Sequence, residues 1–180
     1  MQYEERNIHR PGHVLLDSTI YFITVRTINH NNFFNTDDKK NILHKIIKEA
    51  CIKFENKLIA WVLIDNHYHL LIKIKIGLHL PDFMGYIGGK SSFLLNNLEN
   101  KQGRKIWNQY WDYCIRGDKD FWTHFNYIHN NPVKHGLCGN IEEAFKYPFS
   151  SAENWVKIKG EEWMYELFAQ YPIADFSCED

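Results

Sequence analysis

"KLIAWVLIDNHYHLLIKIKI", residues 57–76, reads as two strands joined by a turn. Residues 57–64 are apolar and β-branched, as a half-buried strand requires, and Asp65-Asn66 suits a two-residue hairpin turn. After the turn the side chains alternate. Tyr68, Leu70, Ile72, Ile74 and Ile76 fall on one side and make a core face. His67, His69, Leu71, Lys73 and Lys75 fall on the other, which is expected to look towards water or a ligand. Imidazoles at i and i+2 suit an exposed strand face, and they also suit two metal ligands converging on one ion. Alternation does not choose between the two.

The flanking segments supply the rest of a fold. "STIYFITVRT" (18–27) is a first strand, and "TDDKKNILHKIIKEACIKF" (36–54) is a helix capped by Thr36 with acidic residues in its first turn. Its apolar residues Ile42, Leu43, Ile46, Ile47 and Cys51 recur at helical spacing. Residues 80–98 read as a helix weakened at Gly85 and Gly88-Gly89. "KIWNQYWDYCIRG" (105–117) looks extended, and "DKDFWTHFNYIHNN" (118–131) looks helical, stopping before Pro132. Strand, helix, β-hairpin, helix, strand is the order of an α+β sandwich, an antiparallel sheet with helices mainly on one face. No repeat, low-complexity tract or Pro/Ser-rich linker divides the chain, so one domain is expected.

Composition narrows the partners. The 180 residues are 44% hydrophobic, enough for one core, and 16% aromatic, which leaves rings to spare for base stacking. Cys51, Cys114, Cys138 and Cys178 lie far apart and read as reduced thiols of a cytoplasmic protein. The charged start "MQYEERNIHR" and the absence of a long apolar run predict neither leader nor membrane span. The net charge of −1 hides an asymmetry: residues 141–180 hold nine acidic and three basic side chains, a net of −6, and residues 1–140 hold 18 basic and 13 acidic, a net of +5. A basic body under an acidic tail permits nucleic acid as partner.

Phe121, Phe125 and Ile128 form the apolar stripe of the helix before Pro132, with Trp122 at its margin. Tyr127 lies roughly 140° from the middle of that stripe, with Asn131 one turn after it and Thr123 one turn before. Wheel geometry by itself makes Tyr127 a partly exposed tyrosine whose hydroxyl meets water.

"WVLIDNHYHLLI" (61–72), then "IWNQYWDYCIRGDKDFWTHFNYIHNNPVKHGL" (106–137) and "YPFSS" (147–151), resemble the single-tyrosine HUH transposases, most closely the REP-associated tyrosine transposases. The block "YIHNNPVKHGL" (127–137) is the most specific part, and the likeness runs from about Thr19 to Ser151. The resemblance implies a ferredoxin-like sandwich, in agreement with the element order. It implies a divalent ion, Mg or Mn, held by His67, His69 and Asn131, with Tyr127 as nucleophile. Residues 1–151 would form the transposase domain, with 152–180 an acidic, aromatic extension packed on it. Two departures stand out: Asp65 occupies a position where the family often has proline, and "GEEWMYELFAQYPIADFSCED" (160–180) does not look like a DNA-binding tail.

The implied reaction is nicking and joining of single-stranded DNA that carries a hairpin. Tyr127 takes the 5′-phosphate and releases a 3′-hydroxyl, so no nucleotide cofactor is needed. Ligand softness favours Zn, Fe, Ni or Cu at imidazoles and the family implies Mg or Mn; manganese reconciles the two best. Lys73, Lys75, Lys90, Arg104, Lys105, Arg116 and Lys134 are candidate phosphate contacts, individually ordinary surface charges and collectively a basic rim. Trp107, Tyr110, Trp111 and Tyr113 are candidates for base stacking. The competing readings are a domesticated module that binds DNA or RNA hairpins without cutting, and a metal hydrolase that uses water. Monomer and homodimer both remain open.

Overall fold

The computed structural model describes residues 15–174 and Phe176, so the charged start and Cys178 lie outside the described residues. The elements run β1 (Thr19–Arg26), α1 (Asp37–Lys53), β2 (Lys57–Leu63), β3 (His67–Ile74), α2 (Leu80–Leu98), β4 (Trp111–Cys114), α3 (Asp118–Lys134), α4 (Ile141–Phe145), α5 (Ala152–Lys159) and α6 (Glu161–Gln170). The four strands pair antiparallel in the order β2-β3-β1-β4. With α1 and α2 as the crossovers, this is the ferredoxin-like sandwich. The Asp65-Asn66 turn is closed by Ile64 N–H donating to the His67 carbonyl at 2.9 Å. Asp65 is also tied to α1, through an ion pair with Lys40 at 2.6 Å. The residue that departs from the family thus anchors the β-hairpin to a helix.

Alternation splits the sheet between two cores. Tyr21, Ile23 and Val25 of β1 join Tyr68, Leu70, Ile72 and Ile74 of β3 beneath α1 and α2, whose Leu43, Ile46, Ile47, Phe83 and Ile87 fill the layer. Burying each such side chain contributes about 1.5–3 kcal/mol, which outweighs the glycines inside α2 at about 1 kcal/mol each. Phe22, Ala60, Val62 and Leu71 point the other way. They meet Phe125, Tyr127 and Ile128 of α3, Phe145 of α4, and Met164 and Leu167 of α6. The second face is therefore covered too, and the acidic extension supplies part of the cover.

Three local expectations change. The face with His67, His69 and Leu71 is buried, because α3 lies on it; a period-two pattern cannot anticipate a helix that arrives fifty residues later. Helix α3 continues through Pro132 to Lys134. Proline forfeits one N–H near the end of the helix, and the last turn is closed by His135 N–H donating to the Asn131 carbonyl at 3.0 Å. The Pro132 carbonyl then accepts from Leu137 and Cys138, which closes the end. Within 105–117 only Trp111–Cys114 forms a strand, with Trp107 in an isolated bridge to Thr27. Residues 149–151 run along the outer edge of β2: Leu63 N–H donates to Phe149, Ser151 N–H to the Trp61 carbonyl, and Trp61 N–H to Ser151 Oγ.

Candidate active site

His67 and His69 leave β3 on the same side, with ring centroids 5.0 Å apart, and α3 lays Tyr127 and Asn131 over them. The Tyr127 ring stands edge-on to His69 at 5.2 Å, and His67 Nε2 lies 3.0 Å from Asn131 Oδ1. The four residues singled out by sequence therefore come together from two elements. Tyr127 is only 3% exposed, because Phe22 packs on it at 5.9 Å and Phe176 at 5.3 Å. Helix α3 is buried from His124 to His129 whatever the side, so Tyr127, although off the apolar stripe, shares a cluster with Phe125 and Ile128 against the sheet's second face.

The far nitrogen of each imidazole is held. His69 Nδ1 is 2.8 Å from Thr24 Oγ1, its direct cross-strand partner, and His67 Nδ1 is 2.7 Å from Asn66 Oδ1. Burial pushes the His67 imidazole down to about 4, against the opposing pull of its Asn131 contact. His69 is held well below the ordinary histidine range by burial and then by the neighbouring His67. Both rings are neutral at pH 7, the form that ligates metal.

Both nitrogens of His67 face amide oxygens, and a neutral imidazole has one N–H. With Nδ1 donating to Asn66, Nε2 and Asn131 Oδ1 become two lone-pair donors 3.0 Å apart. Two adjacent ligands about 2.1 Å from an octahedral ion sit about 3.0 Å apart, so this spacing fits one cation between them. Asn131 Nδ2 is buried without a partner, so the amide can also satisfy His67 by turning over. Among the described residues no three His, Cys, Asp or Glu side chains cluster as a metal site.

The candidate phosphate contacts do not gather at one place. Lys134 does reach the site, its Nζ 3.4 Å from the Tyr127 hydroxyl, and Arg116 is exposed just before α3. Lys73 is exposed but six residues along β3 from His67, about 20 Å at strand rise. Lys75 pairs with Glu55 at 2.5 Å, Arg104 with Glu99 at 2.6 Å, and Lys90 with Glu49. Lys90 belongs to α2, on the opposite side of the sheet from Tyr127, and Lys105 is exposed. Trp107 is core, stacked on Phe34 at 4.8 Å and donating to Ser91 Oγ, so it is not a base platform. Trp111 is exposed, Tyr110 is half-buried against the first core, and Tyr113 stacks on His124 at 5.1 Å.

A model of the IS200-like transposase family matches residues 16–131. This chain belongs to that family. A candidate REP-associated tyrosine transposase of Haemophilus influenzae is 28% identical over 156 residues, covering 80% of this chain and 86% of the relative. The REP-associated tyrosine transposase of Escherichia coli is 28% identical over 135 residues, covering 73% and 74%. A solved REP-associated tyrosine transposase bound to a REP hairpin shares the fold, with a TM-score of 0.74 over 95% of this chain and 96% of the other at 22% identity.

Sequence reading missed several neighbours of the transposase site. Thr24 and Asn66 orient the histidines, Phe22 stacks on His69 at 5.3 Å, and His135 packs on His67 at 4.5 Å. Phe176 stacks on His124 at 3.8 Å and borders a cavity of about 450 Å³ lined in part by Arg116, Lys119 and Thr123. Thr24 was findable once β1 was paired with β3, because it falls opposite His69. Phe176 had no such signal.

Proposed function

We propose that this transposase nicks and rejoins single-stranded DNA at hairpin-bearing repeats, through a 5′-phosphotyrosine formed on Tyr127. The observation that carries the reading is the convergence of Tyr127 with His69 at 5.2 Å and of His67 with Asn131 at 3.0 Å. A divalent ion, Mg or Mn, held by His67, His69 and Asn131 would neutralise phosphate charge and polarise phosphorus as a Lewis acid. Manganese best suits two imidazoles and an amide oxygen. The chain's own residues do the remainder. Thr24 and Asn66 fix both imidazole orientations, and Phe22 packs against the rings of His69 and Tyr127. Arg26 and Lys134 place positive charge near both histidines, where an anionic phosphodiester would enter. The covalent link stores the broken bond, so the released 3′-hydroxyl can reverse the cut.

The REP hairpin held by the solved relative supports hairpin DNA as the partner. Of the candidate phosphate contacts, Lys134 lies at the Tyr127 hydroxyl and Arg116 just before α3, and Lys73, Lys75, Lys90, Arg104 and Lys105 would serve a longer stretch of backbone. Residues 1–151 would be the transposase domain and 152–180 an extension, whose Trp163, Met164, Leu167 and Phe176 pack in one cluster with α3, in a cytoplasmic protein working at DNA.

Denaturing electrophoresis of labelled hairpin-bearing single strands tests the reading. Wild type with Mn should form a covalent adduct, and Tyr127→Phe should bind the DNA without one. Tyr110→Phe and Tyr113→Phe should keep it, whereas His67→Ala and His69→Ala should lose cleavage but retain affinity. An adduct on another tyrosine would relocate the active site. Binding with no cleavage at any time would make the protein a hairpin-binding module.

A further inference from the structure

We propose that Lys134 is a catalytic residue, its ammonium carrying the negative charge of the Tyr127 oxygen as that oxygen joins and leaves phosphorus. The inference rests on the tyrosine reading above and assigns a role that phosphate binding does not cover. Lys134 follows Tyr127 by seven residues, two helical turns that return it to the same face of α3. Lys134 is an exposed residue whose side chain runs back along the helix: Nζ lies 5.0 Å from the Tyr127 ring centroid and 3.4 Å from the hydroxyl. A lysine in a last helical turn is ordinary, since it complements the helix dipole. Here the side chain also brings its ammonium to the tyrosine hydroxyl.

The chemistry of the contact sets the role. An ammonium has three donors and no acceptor, so Lys134 cannot take the phenolic proton. In cleavage the Tyr127 Oη–P bond forms and the P–O3′ bond breaks, leaving its electron pair on O3′. The phenol gives its proton to solvent and O3′ takes one from solvent, so the proton balance is zero. Rejoining reverses each change and expels the phenolate. The phenolic oxygen is partly anionic in both directions, and Lys134 keeps its charge throughout. The 3.4 Å contact of the neutral phenol can tighten to the about 2.7–2.9 Å of a charge-assisted bond only when charge is present on that oxygen. Such an interaction is stronger in the transition state than in the ground state, which is what acceleration requires.

The test uses the full chain with Mn and a hairpin-bearing single strand at saturating concentration. Single-turnover adduct formation is measured, and then rejoining from the isolated adduct. A hydrogen bond to a charged partner corresponds to a roughly 10- to 100-fold slowing in Lys134→Met at saturating DNA, in both directions. Lys134→Arg should recover most of the rate. Placing 3,5-difluorotyrosine at position 127 makes the phenolate a better leaving group, and should accelerate rejoining more in Lys134→Met than beside the native lysine. Weakened affinity with an unchanged rate at saturation overturns the proposal in favour of a phosphate contact, and so does equal acceleration by fluorotyrosine in both backgrounds. Wild type that forms no adduct overturns the tyrosine reading and this one together. A normal wild-type adduct with an unaffected Lys134→Met overturns the lysine's role alone.

Discussion

Lowering the pH should unfold the metal-free protein through its histidines. Burial holds His67 down at about 4 and His129 at about 3, against an ordinary value near 6.5. Between those limits the unfolded chain binds protons that the folded chain refuses, so stability present above about pH 6.5 is lost as pH falls. For His67 that displacement is worth about 3 kcal/mol, and for His129 about 5 kcal/mol. His69 and His124 are also shifted down by burial and act in the same direction. A domain has about 5–15 kcal/mol in total, so these groups reach the scale of the whole stability. Urea unfolding followed by circular dichroism, in chelator at pH 7.5, 6.5, 5.5 and 4.5, measures the effect. The midpoint should move little over the first step and steeply afterwards. His129→Gln, which loses the imidazole that meets Ser151 Oγ at 2.8 Å, should start less stable and show a slope shallower by about 1.4 kcal/mol per pH unit. A flat profile down to pH 4.5 would refute the reasoning.

Two substitutions probe the supports of the site. Thr24→Val keeps the shape of β1 but removes the partner of His69 Nδ1, and should weaken Mn binding by about 10- to 100-fold in calorimetry with the fold intact; undiminished affinity would remove His69 from the ligand set. Asn126→Leu removes donors to the Leu167 and Tyr171 carbonyls, both at 2.8 Å, and should cost about 1–3 kcal/mol, seen as a lower Tm in a thermal melt. An unchanged Tm would mean that α6 is held to α3 by packing alone.

The β-hairpin, the two crossover helices and the pairing of His67 and His69 were legible because period and turn chemistry act over neighbouring residues. Tyr127 and Asn131 were legible as one face of one helix. What escaped depends on tertiary placement. The histidine face is buried only because α3 docks on it, and nothing between residues 65 and 76 encodes that docking. Charge in a sequence does not say whether Glu49, Glu55 or Glu99 will fold alongside Lys90, Lys75 and Arg104, as they do here. His129 meeting Ser151, and Asn126 meeting the end of α6, join segments 22 and 41–45 residues apart. Neither leaves a local pattern to read.

The strip formed by residues 149–151 has a consequence for assembly. An uncovered outer strand invites a second chain to continue the sheet. Here β2 already spends its outward backbone groups on Phe149 and Ser151, and Ser151 is tethered in turn to His129 on α3. A second copy adding a strand beside β2 would have to peel that strip away and release a hydrogen bond two residues beyond Tyr127. Growth of the sheet at this edge and an undisturbed α3 are therefore mutually exclusive.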